Sequence, residues 1–107
     1  MPKFQLLRDL LVRDRIITES QIYQPGPPPA AWLKLVHTPD YVQAYCTGTL
    51  DAKAQRRIGL PWSEGLVQRT CTAVGGTILT AKLALQHGIA CNTAGGTHHA
   101  FPGYGSG

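Results

Sequence analysis

Charged side chains are scarce, at 15% of 107 residues, where an ordinary soluble domain carries about 25%. So small a supply suits a chain whose surface is partly covered by other polypeptide. Long apolar runs are missing too: nothing approaches the roughly 18 consecutive apolar residues that a membrane-crossing helix needs. Arg8 and Asp9 interrupt the N-terminal segment before it could serve as the apolar stretch of a secretory leader. Neither a membrane span nor a leader is therefore expected. The three cysteines, Cys46, Cys71 and Cys91, form no CxxC pair and are odd in number. That argues against a zinc knuckle and against a disulfide framework, and for reduced, mostly buried thiols in a cytoplasmic protein. Clustered charge is also absent. The formal net charge is +4, yet among the basic residues only Arg56 and Arg57 are adjacent. A nucleic-acid footprint would gather them on one face, so no nucleic-acid partner is expected.

What the chain does contain reads mostly as helix. Its length allows at most one small domain. Phe4, Leu7 and Leu11, flanked by Leu6 and Leu10, recur at helical spacing and predict an amphipathic helix over about 3–14. Thr18 to Tyr23 suggests a further turn. Pro25-Gly26-Pro27-Pro28-Pro29 is a stiff connector, because proline fixes φ and lacks a donor. Ala30 to Val36 fits either a short helix or a strand. Thr38-Pro39-Asp40 is a helix start: a hydroxyl cap, a proline where a missing N–H costs nothing, and an acid at the positive end of the dipole. Gly48 ends that helix. Asp51 to Ile58, polar and basic, reads as a loop with some helix. Ser63 opens the longest helix, which runs to about His87 with Gly88 as its stop. Val67, Cys71, Val74, Ile78, Ala81 and Leu85 mark its apolar stripe. Gly75-Gly76 inside it would cost about 1 kcal/mol each relative to alanine, which is tolerable where another backbone approaches closely.

Ile89-Ala90-Cys91-Asn92 reads as a buried strand emerging at a carboxyl edge, where α/β proteins bind ligands. It leads into the most informative stretch, Gly95-Gly96-Thr97-His98-His99-Ala100-Phe101. Two histidines between glycine-rich turns suit an active-site loop. On their own they would suit a solvated or hydrogen-bonded loop better. A buried strand needs hydrogen-bonding neighbours, and the sequence offers none of comparable quality. The chain therefore reads as incomplete.

The Gly95–Phe101 segment resembles the histidine-pair motif of the histone deacetylase superfamily, which includes bacterial amidohydrolases of the acetoin-utilisation type. Leu35-Val36-His37-Thr38-Pro39-Asp40-Tyr41-Val42 is similar to an early segment of that family. Gly59-Leu60-Pro61-Trp62-Ser63 resembles the connector before its long helix, and Gly75-Gly76-Thr77 falls within that helix. Met1-Pro2-Lys3-Phe4-Gln5-Leu6-Leu7-Arg8 resembles a segment that follows a first strand and loop in the family.

The resemblance implies an α/β fold: part of an arginase/deacetylase-like three-layer α/β/α architecture with a parallel sheet. Residues 1–107 would be a helix-rich, incomplete N-terminal portion of one such domain. It implies Zn²⁺-dependent hydrolysis of N-acetyl amides, with an acetylated small molecule or protein as substrate. His98 would stabilise the metal-bound water and the transition state. His99 would act as general base and then as acid to the leaving amine. Gly107 matches a glycine that helps hold substrate. The aspartates that orient the histidines, the zinc ligands and an oxyanion-binding tyrosine would all follow Gly107, so the chain alone is expected to hold no zinc and to be inactive. His37 would be structural, through a buried hydrogen bond. Cys71 reads as core and His87 as a helix-end charge. Two other readings remain: a small basic binding module, and a truncated reading frame without activity of its own.

Overall fold

The computed structural model describes residues 2–96 and 99–106. Five α-helices precede one small sheet: α1 (Lys3–Arg13), α2 (Ala30–Leu33), α3 (Pro39–Thr47), α4 (Ala52–Ile58), α5 (Glu64–His87), β1 (His99–Phe101) and β2 (Tyr104–Ser106). A 3₁₀ turn at Glu19–Gln21 lies between α1 and α2. Within the Ala30–Val36 segment, helix covers Ala30–Leu33 and a turn follows.

Local chemistry sets most of these boundaries. Thr38 Oγ1 accepts the Tyr41 N–H (3.3 Å), Asp51 Oδ1 that of Ala54 (2.7 Å) and Ser63 Oγ that of Leu66 (3.0 Å). Each satisfies an N–H that the first turn leaves unpaired. Gly48 and Gly59 close α3 and α4 in the left-handed conformation, at φ 72° and 76°. Helix α1 ends differently. The Arg15 N–H bonds the Val12 carbonyl, and the Ile16 N–H reaches back to Leu11. This is a Schellman closure built on a non-glycine residue, Arg15, at φ 57°.

Segment Asp51 to Ile58 is a continuous helix rather than a loop with some helix. Its acidic cap and Gly59 stop act from both ends, and Arg56 and Arg57 occupy its last turn, where cations complement the dipole.

The paired glycines of α5 are both buried. A Cβ at Gly75 would overlap the Gly26 carbonyl oxygen, and one at Gly76 would lie 3.4 Å from the Pro25 ring and 3.3 Å from Asn92 Nδ2. The proline connector thus lies directly on the glycine step of α5, the close backbone approach that the sequence requires there.

The expected strand at Ile89–Asn92 does not form. Ile89 is 79% exposed, and the Asn92 side chain accepts the Ala94 N–H (2.9 Å), turning the chain. Apolar residues become a strand only when a neighbour takes up their backbone groups, and among the described residues none does. The sheet that is present is a two-stranded antiparallel hairpin with Phe101 opposite Tyr104 and His99 opposite Ser106. This small sheet and the helices before it are compatible with part of an α/β fold.

The core is small. Among the described residues Val42 (8% exposed) and Ile58 (7%) are the buried large apolar side chains. On the α5 stripe, Leu85 is 89% exposed. No helix among the described residues is long and apolar enough to cross a membrane.

Candidate active site

Three contacts fix the hairpin to the helices. The His37 Nδ1–H donates to the Phe101 carbonyl (2.8 Å), and the next residue's N–H, that of Thr38, donates to the Pro102 carbonyl (2.9 Å). Both turn carbonyls are therefore taken by the entrance to α3. On the other side the Arg57 guanidinium sits 4.0 Å from the centre of the Tyr104 ring, close enough for a cation–π attraction. Phe101 stacks on Tyr104 at 4.4 Å between centroids. Pro102-Gly103 makes the two-residue turn between them.

His37, Tyr41 and Tyr45, four residues apart, share one face across the start and body of α3. Their rings follow one another at 5.5 and 6.4 Å. The Tyr41 hydroxyl lies 3.2 Å from where a Cβ at Gly105 would sit, so the small residue lets the hairpin close over the phenol. Burial pushes the Tyr41 hydroxyl pKa above its ordinary value, and neighbouring Tyr45 adds to the effect. The Tyr45 hydroxyl is 2.8 Å from Thr70 Oγ1 on α5, which sets α3 against α5. Trp62 braces the end of α3: its Nε1–H donates to the Tyr45 carbonyl (2.7 Å), and its ring lies against Gly48.

Between α3, α5 and the hairpin lies a cavity of about 320 Å³. Its walls are mainly apolar, with Leu33, Val42, Ile58 and Val74 among them. Polar groups enter from His37, Tyr41, Thr70, Arg69 and His99, and Gly95 and Gly96 line the side from which the chain enters the hairpin. A largely apolar pocket with a few converging polar groups is the usual form of a small-ligand site.

Of the residues singled out from the sequence, His99 lines this cavity, on the first residue of β1. His98 and Gly107 lie outside the described residues. His37 does make a hydrogen bond to a backbone carbonyl, but an exposed one rather than the buried bond expected. Cys71 is half-buried on the cavity wall, and His87 ends α5. Sequence reasoning missed the parts played by Tyr41, Arg57 and Tyr104. The fourfold spacing His37-Tyr41-Tyr45 was an available signal for the first. The other two meet across distant segments, and no local pattern announces that.

A zinc site needs three or four N, S or O donors at one point. Among the described residues no three His, Cys, Asp or Glu side chains converge in that way, so these donors by themselves do not fit a zinc centre.

The histone deacetylase domain profile matches residues 1–107. The chain is 75% identical, over its whole length, to 36% of an uncharacterised protein of Picosynechococcus sp.. It is 34% identical over 112 residues to the acetoin utilization protein AcuC of Bacillus subtilis strain 168, covering 95% of this chain and 29% of that protein. To AcuC of Staphylococcus aureus strain Mu50 it is 30% identical over 115 residues, covering 98% and 30%. The chain belongs to the histone deacetylase family, and it spans about a third of the length of these curated relatives.

Proposed function

We propose that residues 1–107 supply the histidine-bearing wall of a zinc-dependent deacetylase that hydrolyses an N-acetyl amide. Acetyl-lysine, an acetylpolyamine or a similar acetylated amine would be the substrate. The observation that carries the reading is the position of His99, held by an anchored hairpin at an apolar cavity, in a chain of this family. His99 takes a proton from the attacking water and returns it to the departing amine. His98 stabilises the charge that develops. Gly107 offers its carbonyl to the substrate. Zinc bound in the whole domain would polarise the acyl carbonyl; the described residues of this chain do not bring together a ligand set for it. The complete domain carries the three-layer architecture with a parallel sheet, resides in the cytoplasm, and covers the apolar stripe that α5 leaves open.

The test is a chimera in which residues 1–107 replace the matching segment of Bacillus subtilis AcuC. Zinc-dependent release of acetate from an acetyl-lysine peptide or an acetylpolyamine is expected, with none from residues 1–107 alone. His99→Ala should reduce the chimera's rate by about 100-fold or more, the usual scale of general acid–base catalysis. A chimera that binds zinc and is equally active with alanine at position 99 would remove the assigned role.

A further inference from the structure

The wall of the cavity carries two thiols on different helices. Cys46 lies near the end of α3 and Cys71 in the first half of α5. Both are free and both line the cavity, Cys46 exposed and Cys71 half-buried. Their immediate predecessors, Tyr45 and Thr70, join α3 to α5 through the 2.8 Å hydroxyl contact, so the two helices are tied one residue before each cysteine. Cys91 is exposed on the segment after α5 and is not part of this wall.

We propose that Cys46 and Cys71 form an oxidisable dithiol that closes to a disulfide on exposure to a hydroperoxide, locking α3 to α5 at the cavity. Cys46, the exposed member, attacks as its thiolate. Its sulfur bonds to the terminal peroxide oxygen, the O–O bond breaks, and the alcohol or water leaves with the proton. Cys46 is then a sulfenic acid, and the peroxide has been reduced by two electrons. Cys71 attacks that sulfur, the S–O bond breaks, and hydroxide departs as water with the Cys71 proton. The balance is two thiols and one hydroperoxide giving one disulfide, one alcohol and one water. The roles follow from environment: burial, then the neighbouring Cys46 thiol, raise the Cys71 pKa. This suits the resolving position better than the attacking one, since thiolate is the nucleophile.

The test uses the whole chain and hydrogen peroxide. Cleavage after lysine and arginine puts Cys46, Cys71 and Cys91 on three separate peptides, so the pairing is read directly by mass spectrometry. The expected product loses two thiols and joins the Cys46 and Cys71 peptides, with Cys91 still alkylatable. Cys91→Ser should leave the yield unchanged, and Cys46→Ser should abolish it. Oxidation in urea serves as the control. There Cys71, nearer in sequence to Cys91 than to Cys46, should lose its preference. Predominant pairing with Cys91 in the folded chain would overturn the proposal. So would a sulfinic acid at Cys46 beside a free Cys71, or identical pairing with and without urea.

Discussion

The His37 imidazole donates from Nδ1 to the Phe101 carbonyl across 64 residues of sequence, at 2.8 Å. With the adjacent Thr38 N–H on the Pro102 carbonyl, it makes the entrance of α3 the anchor of the hairpin that carries His99. A net hydrogen bond of this kind contributes about 1 kcal/mol. His37→Ala also removes the ring contact with Tyr41, so a loss of about 1–2 kcal/mol of local stability is expected. The Thr38 amide reports it. Its hydrogen exchange should speed up by roughly 5- to 30-fold, while amides in the middle of α5 change little. An unchanged Thr38 amide would show that the hairpin is held by something else.

Gly75 gives the reverse of the usual result for a helix interior. Alanine ordinarily stabilises such a position by about 1 kcal/mol relative to glycine. Here its methyl group would overlap the Gly26 carbonyl oxygen, and neither the proline connector nor α5 can yield cheaply. Gly75→Ala should destabilise by about 2 kcal/mol or more, the scale of overpacking a tight contact. Gly76→Ala, whose nearest neighbours are side-chain atoms at 3.3 and 3.4 Å, should cost less. Urea unfolding followed by circular dichroism ranks the two. Gain of stability in Gly75→Ala would mean that the connector does not rest on α5.

Arg15 holds a conformation that L-residues adopt at a cost of roughly 1–2 kcal/mol. The Schellman bonds around it do not use its side chain. Arg15→Gly should therefore stabilise the chain, by about 1 kcal/mol or less after the extra entropy of unfolded glycine is subtracted. Arg15→Ala retains the strain and should not. A shift of the urea midpoint in the glycine variant alone checks the assignment.

The contrast between these sites explains what was legible in the sequence. Thr38, Ser63, Gly48 and Gly88 declare their helix ends because capping is settled within four residues of chain. Gly75-Gly76 announced a close approach but not its partner, since Gly26 reaches it only after the connector has folded back. Asp51 to Ile58 reads as a loop with some helix because a cap and a stop eight residues apart give a weak periodic signal. Ile89-Ala90-Cys91-Asn92 has strand composition, yet a ladder needs a second strand and composition cannot supply one. At the site, the histidine motif was legible as a resemblance. The clamp of His37 and Arg57 around the hairpin was not, because it depends on where α3 and α4 meet residues more than forty positions further on.

Alkaline pH should weaken this arrangement through two groups on the cavity wall. Burial, chiefly, raises the Tyr41 pKa in the folded chain, and burial does the same for Cys71. A pKa higher in the folded than in the unfolded chain means that folding favours the protonated form. The associated stability is fully present below the unfolded values, about 8.5 for a cysteine and about 10 for a tyrosine. It is lost as pH rises through the folded ones. Stability should thus fall first as Cys71 ionises and again as Tyr41 does. Tyr41→Phe should remove the second step. Urea midpoints measured from neutral to strongly alkaline pH for the wild type, Cys71→Ala and Tyr41→Phe separate the two contributions. A Tyr41→Phe profile that declines as steeply as the wild type above the Cys71 step would show that the phenol is not held by its burial between α3 and the hairpin.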